Sequence, residues 1–194
     1  MERMRTFIAI ELPEAIRSGL QQEIETLRAL PSGRAVRWAS APGIHVTLKF
    51  LGEVAADRTD DIVKIMVDVA AGHSPFELCV RGLGAFPNVR RPRVVWIGTL
   101  DHSGQLARAQ NELEDRLSRV GFERESRAFN PHLTLGRVRR EASVGDVEHL
   151  GQALATAPEI GEFLVEGLSL MRSELQPSGA VYSRIGQAPL GGAH

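Results

Sequence analysis

The sequence predicts an α+β protein, bilobal with pseudo-twofold internal duplication. Each lobe is an antiparallel-rich sheet with helices outside, and a central cleft carries the functional residues. Three observations predict it. Apolar runs of strand length alternate with stretches of helical periodicity. The order strand–helix–strand–helix–strand occurs twice at one offset of 87 residues. A His-x-Thr motif falls at the same place in each copy, at His45 and His132.

In the first copy, Phe7 to Ile10 is a buried-strand run, and Pro13 opens a helix with Ile16, Leu20, Ile24 and Leu27 on one face. Pro31-Ser32-Gly33 ends it. A short stretch around Val36-Arg37-Trp38 precedes the turn Ala41-Pro42-Gly43. The run Ile44 to Leu51 alternates and is rich in strand formers. A second helix carries Ile62, Ile65, Met66 and Val69, and a strand runs from Phe76 to Val80. At the 87-residue offset, Phe7-Ile8-Ala9-Ile10 falls on Val94-Val95-Trp96-Ile97, and a helix follows with Leu106, Ala109, Leu113, Leu117 and Val120. His45-Val46-Thr47-Leu48 falls on His132-Leu133-Thr134-Leu135. The helix near Ile62 falls on one with Val147, Leu150 and Leu154, and Phe76 falls on Phe163. The halves, roughly 5–88 and 92–185, have no clean linker between them, so one domain over 1–194 is expected, with 190–194 a flexible tail.

Composition narrows the function. The 194 residues carry a net charge of −1, whereas a protein tracking a long polyanion needs a strong basic excess, so a nucleic-acid substrate should be held at an end or as a small fragment. The cluster Arg90-Arg91-Pro92-Arg93 reads first as a solvated loop and second as a phosphate-steering element. No apolar run reaches the length of a membrane span. The opening Met1-Glu2-Arg3-Met4-Arg5 lacks the apolar core of a signal peptide, and Cys79 is the single cysteine; a cytoplasmic location is the expectation.

Residues two apart on a strand share a face, so His45 and Thr47 point one way while Val46 and Leu48 point into a core. His132 and Thr134 repeat this before Leu133 and Leu135. Two such motifs are expected in well under about one in a hundred chains of this composition. His73, His102, His149 and His194 stand outside any repeated unit. A zinc site, which wants three or four His, Cys or carboxylate ligands, fits poorly, and no Walker loop or Gly-x-Ser-x-Gly elbow occurs. Two imidazoles flanking one phosphate are suited to act as base and acid in turn, while threonine hydroxyls hold the non-bridging oxygens. No metal and no cofactor is expected.

With these motifs the chain resembles the 2H phosphoesterases, and among them the RNA 2′,3′-cyclic phosphodiesterases also called 2′–5′ RNA ligases. The resemblance rests on Arg5 to Pro13, on Arg37-Trp38 ahead of His45 to Glu53, on Ala85-Phe86-Pro87, on Pro131 to Arg137, and on Leu170 to Ser173 and Gly179 to Tyr182. It implies hydrolysis of RNA-terminal or nucleoside 2′,3′-cyclic phosphates to 2′-phosphates, and a weak, ATP-independent reverse joining through a 2′–5′ bond. It implies His132 as proton acceptor, His45 as proton donor, and Thr47, Thr134 and Arg137 as phosphate-binding residues. Strict alternation turns Arg137 away from His132, so the strand must end or turn near it. Lys49 has the parity of a phosphate ligand, with an exposed strand-end lysine as the equal alternative. Phe50 is a base-stacking candidate, although parity favours core packing for it. The partners implied are RNA ends or cyclic nucleotides, with no membrane, and a monomer is expected. The alternatives are a non-catalytic nucleotide or RNA-end binder, or a phosphodiesterase for another small cyclic phosphate.

Overall fold

In the computed structural model, which describes residues 2–176 and 179–191, nine strands form two antiparallel sheets. The strands are β1 (Arg3–Ile10), β2 (Val36–Trp38), β3 (Val46–Ala55), β4 (Phe76–Phe86), β5 (Val94–Leu100), β6 (His132–Val138), β7 (Glu159–Val165), β8 (Gly167–Gln176) and β9 (Gly179–Pro189). The helices are α1 (Glu14–Ala29), α2 (Thr59–Ala70), α3 (Gln105–Arg119) and α4 (Val144–Ala153). One sheet has the order β3-β1-β8-β9, the other β2-β6-β5-β4-β7.

The repeat is visible as β1-α1-β3-α2-β4 followed by β5-α3-β6-α4-β7, but the sequence halves do not each build a sheet. Strand β4 leaves the first half to pair with β5, and the hairpin β8–β9 returns from the second half to pair with β1. Phe163, which the 87-residue offset aligns with Phe76, therefore lies beside β4 in the same sheet, with Leu78 directly opposite it. This exchange ties the halves together: neither sheet is complete from one half alone.

The helices cover one face of each sheet. Ile16, Leu20, Ile24 and Leu27 of α1, Ile62, Met66 and Val69 of α2, and Leu106, Leu113 and Leu117 of α3 join Ile8, Ile10, Val46, Leu48, Val95, Ile97, Leu133 and Leu135 in a shared core. Each such large apolar side chain contributes about 1.5–3 kcal/mol on full burial. The other face of β1 and β8 carries a separate small cluster of Phe7, Ala9 and Met171 with Tyr182. Of the expected tail 190–194, the first two residues are held in the fold. Leu190 is buried, its N–H donating to Glu166 O, and Gly191 N–H lies within reach of the Ala70 and His73 carbonyls. Gly192, Ala193 and His194 lie outside the described residues. Among the described residues no helix is long and apolar enough to cross a membrane.

Candidate active site

Strands β3 and β6 come close together, and the two His-x-Thr motifs lie at their starts. His45 directly precedes β3 and His132 opens β6. In both motifs the histidine and threonine are partly exposed, while Val46, Leu48, Leu133 and Leu135 are buried at 0–3% exposure. The alternation expected from the sequence holds this far.

Beyond each threonine it breaks, in the same way in both copies. Along the β1–β3 ladder, Ala9 faces Thr47 and Ile8 faces Lys49, leaving Leu48 as an extra residue. Along β5–β6, Trp96 faces Thr134 and Val95 faces Gly136, leaving Leu135 extra. Leu48 and Leu135 are 87 residues apart in the sequence, so the bulge belongs to the repeat. A bulge shifts every later side chain to the opposite face. Lys49 thus joins the face of Ile8 and is 4% exposed. Its ammonium donates to Glu114 Oε2 at 2.6 Å and to the Glu123 carbonyl at 2.7 Å. The phosphate-ligand and exposed-lysine readings of Lys49 are both corrected: it is one half of a buried ion pair. Phe50 joins the face of Phe7 and Thr47 and is 66% exposed, not packed in the core. Arg137, its counterpart at the repeat offset, returns to the face of Thr134, so the strand needs neither to end nor to turn.

Aromatic rings wall both imidazoles. His45 stacks on Phe7 at 4.5 Å and 26°, and the Tyr182 ring meets it edge-on at 5.1 Å. His132 meets Phe86 edge-on at 4.9 Å and lies 6.3 Å from Trp96. The Trp96 indole lies over Gly84, where a Cβ would collide with it. These walls were not singled out from the sequence, because Phe7 and Trp96 sit in strand runs that are apolar on both faces.

The hydrogen bonding of His132 sets its tautomer. Nδ1 lies 2.7 Å from the Asn130 carbonyl, which can only accept, so Nδ1 carries the proton and Nε2 remains for proton transfer. Gly43 occupies the equivalent place before His45. Burial lowers the His45 pKa from 6.5 to about 4, against the opposing effects of a hydrogen bond to the Gly43 backbone and the negative charge of Glu11. Glu11 is itself held by Ser169 Oγ and Arg184 Nη1, each donating at 2.9 Å. This carboxylate, also unmarked in the sequence, favours protonation of His45.

Neither Thr47 nor Thr134 has a side-chain hydrogen-bond partner among the described residues, and both hydroxyls are free to donate to a ligand. No group of three His, Cys, Asp or Glu among the described residues is placed to hold a metal ion. His73 is instead bonded through its two ring nitrogens to Gln105 and Glu112. Each motif thus presents an imidazole and a hydroxyl, with Phe50 on the face of Thr47 and Arg137 on the face of Thr134.

A two-motif site on two exchanged sheets defines a two-histidine phosphoesterase class, and comparison with known proteins assigns it. Residues 16–177 match the family model of the 2'-5' RNA ligase superfamily, and the chain belongs to that family. It is 34% identical over 181 residues to a Methanothermobacter thermautotrophicus protein named RNA 2',3'-cyclic phosphodiesterase, covering 93% of this chain and 96% of that one. An Archaeoglobus fulgidus protein of the same name is also 34% identical, over 94% of this chain and 98% of its own. Among solved structures, a Thermus thermophilus protein superposes with a TM-score of 0.80 at 29% identity, covering 98% of this chain and 100% of that one. Escherichia coli LigT complexed with 3'-AMP gives 0.77 at 28% identity, covering 97% and 99%.

Proposed function

We propose that this chain hydrolyses RNA-terminal or nucleoside 2′,3′-cyclic phosphates to 2′-phosphomonoesters, with His132 as proton acceptor and His45 as proton donor. The observation that carries the reading is the pair of His-x-Thr motifs at the starts of two strands that come close together, each with an unpartnered hydroxyl beside its imidazole among the described residues. The names of the relatives support the substrate class.

In this mechanism Nε2 of His132 takes a proton from water as its oxygen attacks phosphorus. The P–O3′ bond breaks, and His45 delivers a proton to the departing 3′ oxygen. The phosphate stays on the 2′ oxygen. Thr47 and Thr134 donate to the non-bridging oxygens as charge builds there, and Arg137 neutralises it. Each proton transfer contributes about 10²–10⁴-fold. His45 must gain its proton on binding: an anionic phosphate that displaces water raises a pKa of about 4. Phe50 offers an exposed ring on which the base stacks. A 5′-hydroxyl in place of water gives, by the same steps, a 2′–5′ linkage. One chain supplies both motifs, so a monomer suffices.

The test is to incubate the protein with the four nucleoside 2′,3′-cyclic phosphates in EDTA and identify products by phosphorus NMR. A 2′-monophosphate is expected. A 3′-monophosphate would reverse the bond broken, and binding without turnover would make the protein a non-catalytic nucleotide binder.

A further inference from the structure

Arg37, on the site face of the larger sheet, has no part in the hydrolysis. It lies on β2 directly opposite Arg137 of β6 in an antiparallel ladder, so the two side chains share a face. That face is fixed by the rest of the row, since Arg137 also lies opposite Val94, and Val94 opposite Phe86, whose ring walls His132. Val36, next to Arg37, is buried on the core face. Both arginines are exposed, and neither has an ion-pair partner among the described residues. Like charges directly opposite one another destabilise a sheet unless something between them offsets the repulsion.

The surroundings make the place more basic still. The loop carrying Arg90, Arg91 and Arg93 starts and ends on this same row: Arg93 N–H donates to the Phe86 carbonyl at 2.7 Å, and Val138 N–H to the Arg93 carbonyl at 3.0 Å. Asn88 Oδ1 accepts from the N–H groups of Arg90 and Arg91, which shapes the loop tip. All three arginines are exposed and none has an ion-pair partner among the described residues. In a chain of net charge −1, five such guanidiniums in one region mark a local anion-attracting surface.

Position decides what kind of anion. On β5, Val94 and Trp96 are the partners of Arg137 and Thr134, so the arginine row lies two residues, roughly 6.6 Å, from the threonine that flanks the reacting phosphate. That is of the order of one step along a nucleic-acid backbone. Arg37 lies beyond Arg137, on its far side from Val94.

We propose that Arg37, next to the Arg137 that serves the reacting phosphate, forms a second anion subsite for the internucleotide phosphate next to the cyclic end, with the Arg90–Arg93 loop extending it. The subsite distinguishes RNA ends from free cyclic nucleotides. The proposal deepens the reading of the site as a cyclic phosphodiesterase and rests on it. Arg37 binds substrate and takes no part in the chemical step.

The experiment compares a nucleoside 2′,3′-cyclic phosphate with a dinucleotide ending in the same group, using wild type, Arg37→Gln and Arg37→Lys. Affinities for the matching 2′-phosphate products are measured in parallel. Arg37→Gln is expected to lose about tenfold or more in kcat/KM and in product affinity with the dinucleotide, the worth of a charge-assisted contact, and to stay within about twofold with the mononucleotide. The salt dependence of dinucleotide affinity should weaken in Arg37→Gln, as for one lost screened ionic contact. Arg37→Lys should recover part of the loss. Equal losses with both ligands, or no loss with either, overturn the subsite. Wild type that turns over neither substrate overturns the proposed reaction instead, and the product affinities still decide the subsite.

Discussion

Replacing Lys49 by Met separates a phosphate ligand from a structural cation. Lys49 and Glu114 side chains are 3% and 5% exposed, and their contact is 2.6 Å. The methionine fills much of the lysine stem's space but leaves the Glu114 carboxylate in the interior without a cation. Its remaining partners are Gln110 Nε2 at 3.4 Å and Glu125 N–H at 3.2 Å, both neutral. Removing one member of a buried pair costs about 3–5 kcal/mol. For a domain of this size each kcal/mol lowers Tm by about 2–4 °C, so Lys49→Met should melt roughly 6–20 °C lower. Adding Glu114→Gln removes the stranded charge and should recover part of that loss. The assay is thermal and urea unfolding followed by kcat/KM per folded molecule, which should stay within about twofold of wild type. A normal Tm with a hundredfold loss of kcat/KM would place Lys49 on the phosphate and refute the bulge-based reasoning.

The site makes further predictions. His45 followed by NMR should titrate near 4 in the free protein and well above that with inorganic phosphate bound. If it remains near 4 in the complex, only about one molecule in a thousand carries the proton at pH 7, and His45 is not the donor. The same depressed pKa favours the neutral imidazole in the fold. Stability from this group is complete above about 6.5 and is lost as pH falls toward 4, by up to about 3 kcal/mol at 1.36 kcal/mol per unit, and His45→Gln should remove that part of the acid slope. Phe50→Ala should raise KM by about 5- to 150-fold, the worth of 1–3 kcal/mol of stacking, and leave Tm nearly unchanged because the ring is exposed; an unaltered KM would remove Phe50 from the base site. His45→Ala should recover most of its activity with a nitrophenyl phosphodiester, whose leaving group departs without a proton, while His132→Ala stays impaired. Swapped behaviour would exchange the two roles.

The repeat, the helix faces and the motif pair were all legible because each rests on a local period. Ile16, Leu20, Ile24 and Leu27 are buried as their spacing requires, and Val46, Leu48, Leu133 and Leu135 are buried behind the motifs. What period-two reasoning misses is an inserted residue. Once Leu48 and Leu135 bulge, the fates of Lys49, Phe50 and Arg137 all invert. A signal for this was present in the second copy only: apolar residues step by two up to Leu135, then by three to Val138, which packs against the core, whereas in the first copy Phe50 continues the step of two. The exchange of β4 and β8–β9 between sheets left no such trace, because a strand's apolar face does not say which neighbour it meets. Glu11 was equally silent. A lone carboxylate after a strand gains its role only when Ser169 and Arg184, from distant strands, fix it near His45.

The central claim is that the two motif histidines carry the reaction together, and the most direct test measures single-turnover rates of His45→Ala, His132→Ala and the double variant on a cyclic nucleotide in EDTA. Each single variant should fold normally and lose about 10²–10⁴-fold. The double variant should be little worse than the poorer single one, as for groups that act as a unit. Near-normal turnover by both single variants would contradict the account.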